Sequence, residues 1–197
     1  MTNIATRPAA IAAAFVASLI VGLGLIFWLL DSSRGALAPS AIGGPFQLVD
    51  QDGRTVTDRN LEGKPTLLFF GYTHCPDVCP TTLFEMSEIL RAMGKDADRV
   101  NAYFVSVDPE RDTPATIKDY LSSFDPHLKG LTGDPAAVGT MLSAYRVYSK
   151  KVPGKDGDYT MDHSAMIYLM DAKGRFVAPF KLDRKPEDAA ADLKRHV

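Results

Sequence analysis

The chain has two cysteines, and both fall in one five-residue stretch, Cys75-Pro76-Asp77-Val78-Cys79. What flanks them limits the fold. Residues 66–70 (TLLFF) are a continuous apolar run after Lys64-Pro65, the pattern of a central strand buried on both faces. From near residue 79 to 93 the apolar positions Leu83, Met86, Leu90 and Met93 follow helical spacing, and Gly94 ends the pattern. The cysteines therefore sit in a short loop between a buried strand and a helix.

The rest of the pattern fits one α/β domain. Residues 45–50 and 54–57 flank Gln51-Asp52-Gly53 as the arms of a β-hairpin. Residues 100–107 (VNAYFVSV) read as a second buried strand, ended by Asp108-Pro109. Thr113-Pro114 opens a helix to residue 124, with proline suited to its first turn. A short strand is expected over 128–131, a helix over 135–145 and an extended segment over 145–152. A hairpin from 165–170 and 175–180 and a closing helix over 186–196 follow. This order places helices on both faces of one sheet, with the cysteine loop where open α/β sheets hold their sites. The expected fold class is α/β and thioredoxin-like, with an N-terminal β-hairpin and one preceding transmembrane helix. The charged run from Asp108 through Pro114 reads as a strand-to-helix turn capped by Thr113, with a part in shaping the site rim. Met86, Met93, Met141 and Met166 fit core positions.

Far downstream, His163 lies in Met161-Asp162-His163-Ser164. In a thioredoxin-like fold the residues before strand 165–170 lie beside the cysteine loop. Thioredoxins carry a cis-proline there, and this stretch contains no proline. A ligand-type side chain stands where an oxidoreductase holds its substrate backbone. Two thiolates and an imidazole are a soft three-ligand set that suits Cu(I) or a redox switch, and Cu(II) tops the divalent affinity series. Iron–sulfur clusters want four thiolates. Zinc needs a fourth ligand, from His74 or Asp77. Asp162 is a candidate to orient the imidazole. Pro80 suits only a first helical turn, which puts Cys79 at or near the N-cap, where the helix dipole lowers a thiol pKa. The competing reading is a disulfide. Four helical residues rise about 6 Å, within reach of a bridge, but closing so small a loop adds little stability. His127 and His196 read as structural or solvated.

The N-terminus bears on location. Residues 9–30 (AAIAAAFVASLIVGLGLIFWLL) carry no charge. As a helix they would be about 33 Å long, against a hydrocarbon core of roughly 30 Å. Trp28 lies at the far end, and Arg7 precedes the stretch. That arrangement favours residues 1–8 inside, a transmembrane anchor over 9–30, and the remainder outside, in the periplasm at the inner membrane. Ala36-Leu37-Ala38 resembles a signal-peptidase site, but the apolar run is longer than a signal-peptide core and Pro39 follows directly. Residues 31–44 are small, Gly- and Pro-containing and aperiodic, a flexible linker. Residues 45–197 are then a single domain with room for a core. A net charge of −2 without a basic block argues against nucleic acid as a partner.

Gly71-Tyr72-Thr73-His74-Cys75-Pro76-Asp77-Val78-Cys79-Pro80 closely resembles the metal loop of the Sco/SenC copper proteins. The run from Val107 through Pro114, Gly130-Leu131-Thr132-Gly133 and Asp162-His163-Ser164 resemble that family's other motifs, in the same order. The similarity covers residues 45–196 and the anchor, with no departure at Cys75, Cys79 or His163. The resemblance implies a thioredoxin-like fold, copper bound by Cys75, Cys79 and His163, and a role in assembling the binuclear copper site of cytochrome c oxidase subunit II. It implies a binding and transfer protein rather than a turnover enzyme. Its partners would be subunit II, a copper donor protein and a thioredoxin-like reductant. The alternative is a thiol–disulfide oxidoreductase that reduces the cysteines of a copper-site protein. A peroxidase of peroxiredoxin type would want its nucleophile in a different, threonine-rich context and has no need of His163.

Overall fold

The computed structural model describes residues 7–34, 42–155 and 157–197. The chain divides into two compact units, Met1–Pro39 and Ser40–Val197. The first holds α1 (Arg7–Arg34), whose backbone covers the whole apolar stretch. Leu19, Ile20, Val21, Leu23 and Phe27 on it are exposed. Among the described residues no helix is long and apolar enough to cross a membrane; the side chains at 7–12, 15 and 28–34 lie outside those described. Of the stretch expected as a linker, 31–44, only the two ends are among the described residues. Residues 31–34 belong to α1, and the Gly43 N–H donates to the Ala144 carbonyl at 2.9 Å, which ties that end into the second unit. Residues 35–41, including Ala36-Leu37-Ala38, lie outside the described residues.

The second unit is organised around β3 (Thr66–Gly71), buried at every position. β4 (Asn101–Ser106) pairs with it in parallel, and β8 (Ile167–Met170) pairs antiparallel on its other edge. Layers cover both of its faces, so no residue of β3 meets water and its sequence shows no alternation. β5 (Leu128–Thr132) extends the sheet parallel to β4. The hairpin of β1 (Gln47–Asp50) and β2 (Thr55–Thr57) joins antiparallel to β5, through Val49↔Thr132 and Asp50↔Leu131. With β9 (Phe176–Phe180) the strand order is β2-β1-β5-β4-β3-β8-β9.

Aromatic contacts mark the two layers. On one face Phe69, Phe104, Tyr120 and Phe124 form a connected row, with Tyr120 supplied by α3 (Pro114–Leu121). On the other, Phe70 meets Tyr168 and Tyr145, which follows α4 (Pro135–Ala144). α2 (Val78–Met93) runs between β3 and β4 and packs against α5 (Pro186–Lys194). Leu83, Met86, Leu90 and Met93 are its buried stripe, as their spacing predicts. The Thr113 hydroxyl accepts from the Thr116 N–H and Asp134 accepts from the Ala137 N–H, so α3 and α4 each start on a capping side chain followed by proline. α3 ends at Leu121 rather than 124, where Ser122 turns its hydroxyl back onto the Asp119 carbonyl.

Two expectations are corrected. First, residues 159–163, for which no element was expected, form a strand: β7 (Tyr159–His163) pairs with β6 (Ser149–Pro153) as a separate two-stranded ribbon. No position of β7 is fully buried; its burial alternates only between partly buried and exposed, a weak contrast over five residues. α4 ends in a left-handed turn in which the Val147 N–H reaches the Leu142 carbonyl and Arg146 takes φ +56°; the chain then continues into β6. Second, Met166 is 44% exposed, because β8 begins one residue later and Ile167 takes the buried place.

Gly130 sits in β5 directly under α3. A β-carbon there would lie 1.9 Å from Ile117 Cγ2 and 3.3 Å from its β-carbon, and a β-branched side chain has little freedom to move aside. Gly130→Ala is expected to cost about 1–3 kcal/mol, read as a lower urea midpoint of the full chain in detergent. In the double variant with Ile117→Ala the loss should be less than the sum of the two separate losses, because truncating Ile117 removes the clash. Wild-type stability in Gly130→Ala would contradict the packing of α3 on β5.

Candidate metal centre

β3 runs out at Gly71, and the chain turns through Tyr72 to Asp77 before α2 begins. The Cys75 N–H donates to the Tyr72 carbonyl at 3.2 Å, and the Cys79 N–H points at Cys75 Sγ at 3.4 Å. Asp77, not Cys79, is the N-cap. Cys79 is the second helical residue and Pro80 the third, a place in the first turn where the missing N–H is harmless. Both cysteines are free thiols.

Cys79 lies beneath the loop, fully buried. A β-carbon at Gly71 would stand 2.8 Å from its sulfur, so the glycine makes the room this thiol occupies. The expected low pKa does not follow. Burial pushes the Cys79 thiol well up, a hydrogen bond with the Tyr72 backbone opposes it, and Cys75 and Asp112 add smaller pushes upward. A helix terminus stabilises charge by about 0.3–1 kcal/mol near the surface, whereas full burial shifts a pKa by up to about 3–5 units. Desolvation wins.

His163 arrives from the end of β7. Its Nε2 is 3.7 Å from Cys79 Sγ, and its Nδ1 is 3.1 Å from the Ser164 carbonyl. A carbonyl can only accept, so Nδ1 carries the proton and Nε2 faces the sulfur with its lone pair. The ring meets the Tyr72 ring edge-on at 5.6 Å. The Ser164 carbonyl thus does what the sequence suggested for Asp162, whose own side chain is exposed. One donor atom each from Cys75, Cys79 and His163 lie within 4.8 Å of one another. His74 and Asp77 are exposed and outside this group; the His74 ring lies 3.1 Å from the Thr73 hydroxyl. His127 is held by Asp125 and Asp98, away from the group.

The support under the loop was not visible in the sequence. Asp112 is fully buried and accepts from the Thr73 hydroxyl at 2.6 Å, the Thr73 N–H at 3.2 Å and the Ser106 hydroxyl at 2.6 Å. Burial raises its pKa, while the Ser106 and Thr73 hydrogen bonds oppose the rise. The Thr113 cap read from the sequence is present, but the turn it ends also ties β4 to the cysteine loop. An acidic residue in the turn after the strand beside β3 was the available signal.

The family model described as SCO1/SenC matches residues 34–197. A SCO2-like protein of Rickettsia felis is 38% identical over 192 residues, spanning 91% of this chain and 93% of that protein. Protein SenC of Rhodobacter capsulatus is 35% identical over 198 residues, spanning 95% and 89%. Among solved structures, Bradyrhizobium japonicum ScoI with copper bound shares 75% sequence identity at a TM-score of 0.78, covering 79% of this chain and 99% of that one. Yeast Sco1 with copper bound shares 36% at a TM-score of 0.72, covering 80% and 88%. With its thioredoxin-like mixed sheet, its two-cysteine loop and a family match that runs from α1 to the last residue, the chain belongs to the SCO1/SenC family.

Proposed function

We propose that this chain is a membrane-anchored copper metallochaperone. It carries copper as cargo on Cys75, Cys79 and His163 and helps assemble the binuclear copper site of cytochrome c oxidase subunit II. One observation carries the reading: two thiol sulfurs and an imidazole nitrogen within 4.8 Å of one another, from two separate elements of the fold. That set is soft and has three members, which suits Cu(I) without a further protein ligand. Zinc would want a fourth, and His74 and Asp77 stand outside the group. The copper-bound ScoI of Bradyrhizobium japonicum and Sco1 of yeast support the choice of metal. Family membership supports the target, subunit II.

The chain's own residues do the holding. The Cys75 and Cys79 thiols surrender their protons to become ligands, and Nε2 of His163 is already the unprotonated nitrogen. Cu(II) needs this imidazole, because two thiolates alone tend to reduce it. An oxidised Cys75–Cys79 pair has no thiolate to offer, so a thioredoxin-like reductant is a required partner alongside a copper donor protein. The chain acts as a carrier and not as a turnover enzyme. The second reading, a thiol–disulfide oxidoreductase, draws on one contact: the Cys79 N–H points at Cys75 Sγ at 3.4 Å, so the two cysteines face each other across the loop.

α1 supports the anchor. Its described apolar side chains are exposed, a costly state in water and a favourable one in lipid. Arg7 ahead of it favours the folded unit in the periplasm at the inner membrane.

The reduced full-length protein in detergent is expected to retain about one copper per chain after desalting, by metal analysis. A Cys75→Ser, Cys79→Ser variant should retain none, and equal retention would remove the cysteines from the site. His163→Ala should keep its fold, two titratable thiols and some Cu(I). It should lose stable Cu(II) and most of the copper-induced rise in melting temperature. A Cu(II) shift as large as wild type would favour the oxidoreductase reading instead. Protease added to spheroplasts should degrade the folded unit while α1 stays with the membrane fraction; a soluble product beginning near Pro39 would show that the anchor is cut.

A further inference from the structure

Among the described residues the β6–β7 ribbon that ends in His163 shares no ladder with the seven-stranded sheet. Something else must set where His163 stands relative to the cysteines. Arg111, in the turn after β4, is placed to do so. Its Nε pairs with Asp108 at 2.5 Å, and its Nη1 donates to the Tyr159 carbonyl in β7 at 3.0 Å and reaches Asp158 at 3.3 Å. The guanidinium lies 3.7 Å over the Tyr159 ring and 5.7 Å from the Tyr72 ring. The Tyr159 hydroxyl donates to Asp108 at 2.9 Å, closing the cluster.

The burial is unusual for so much charge. The Asp108 and Arg111 side chains are only 3% and 18% exposed. Arg111 Nη2 is buried with no hydrogen-bond partner among the described residues, so the planar cation is held by its ring contacts and not by a full set of acceptors. Two routes lead from it to His163. One runs through the Tyr159 carbonyl and along β7. The other runs through Tyr72, whose ring stands edge-on to the imidazole at 5.6 Å. The next residue, Asp112, holds the cysteine loop from the same turn through Thr73. Both halves of the donor set are thereby referred to one short segment.

We propose that Arg111 is a positioning residue: it fixes the β6–β7 ribbon, and with it His163, at ligand distance from the two thiols. As a device for the copper site it rests on the metallochaperone reading, but the placement of the ribbon can be measured without metal.

The experiment compares wild type, Arg111→Ala and Arg111→Lys in the reduced full-length protein. Without metal, hydrogen exchange of the amides in 149–153 and 159–163 should rise about tenfold or more in Arg111→Ala, with β3 amides unchanged. Arg111→Lys keeps a cation but not the planar fork. It should give a smaller rise confined to the same segment, and it carries the test alone if the alanine variant does not fold. With copper, both variants should still take up one Cu(I), while the sulfur-to-Cu(II) absorption weakens and Cu(II) leaves at least several times faster, more so for alanine. Unchanged ribbon exchange in the folded variants, an equal rise in β3, or a wild-type Cu(II) spectrum would each overturn the proposal. If wild type itself takes up no copper, the metallochaperone reading fails, and the exchange result still decides whether Arg111 places the ribbon.

Discussion

The burial of β3 is the constraint on which the rest depends. A strand covered on both faces and paired on both edges cannot shift register without driving a core side chain into a neighbour. Its last residue, Gly71, therefore stands at a fixed height, and the cysteine loop inherits that position. The fit is tight enough that even a methyl group at Gly71 would press on both Cys79 Sγ and the Phe104 ring. The core thus places the start of the cysteine loop, the thiol half of the site.

Burial also decides the chemistry of the two sulfurs. Cys79 sits in the first turn of α2 against Gly71, fully buried, and its thiol is held neutral. Cys75 lies nearer the surface, with an amide from the first turn of α2 directed at it. The Cys-x-x-x-Cys loop thus contains two unlike thiols. Helix position alone suggested a charged Cys79; position together with depth gives a neutral one.

Most of the frame was legible in the sequence because it is governed by burial. The TLLFF run of β3, the 3.6-residue stripe of α2 and the caps at Thr113 and Asp134 are local patterns with one stable solution each. The grouping of Cys75, Cys79 and His163 was legible because thiols and an imidazole in those contexts have few other uses. What was not legible depends on contacts between distant residues. β7 has no fully buried position, so its period of two is only a contrast between partly buried and exposed residues and is faint in the sequence. The charged run after β4 looks like any strand-to-helix turn until Ser106 and Thr73 are seen to point at Asp112. Met166 reads as core by type, and only the start of β8 one residue later shows why it is not.

The order of the sheet has a consequence for self-association. A strand at the border of a sheet offers unpaired amides to any passing strand, and two copies meeting there can polymerise. β5 would present such a border, but the N-terminal hairpin covers it and leaves β2, three residues long, outermost. At the opposite border β9 carries Pro179, which has no amide hydrogen to offer. Both ends of the sheet are thus poor templates for strand addition by a second chain.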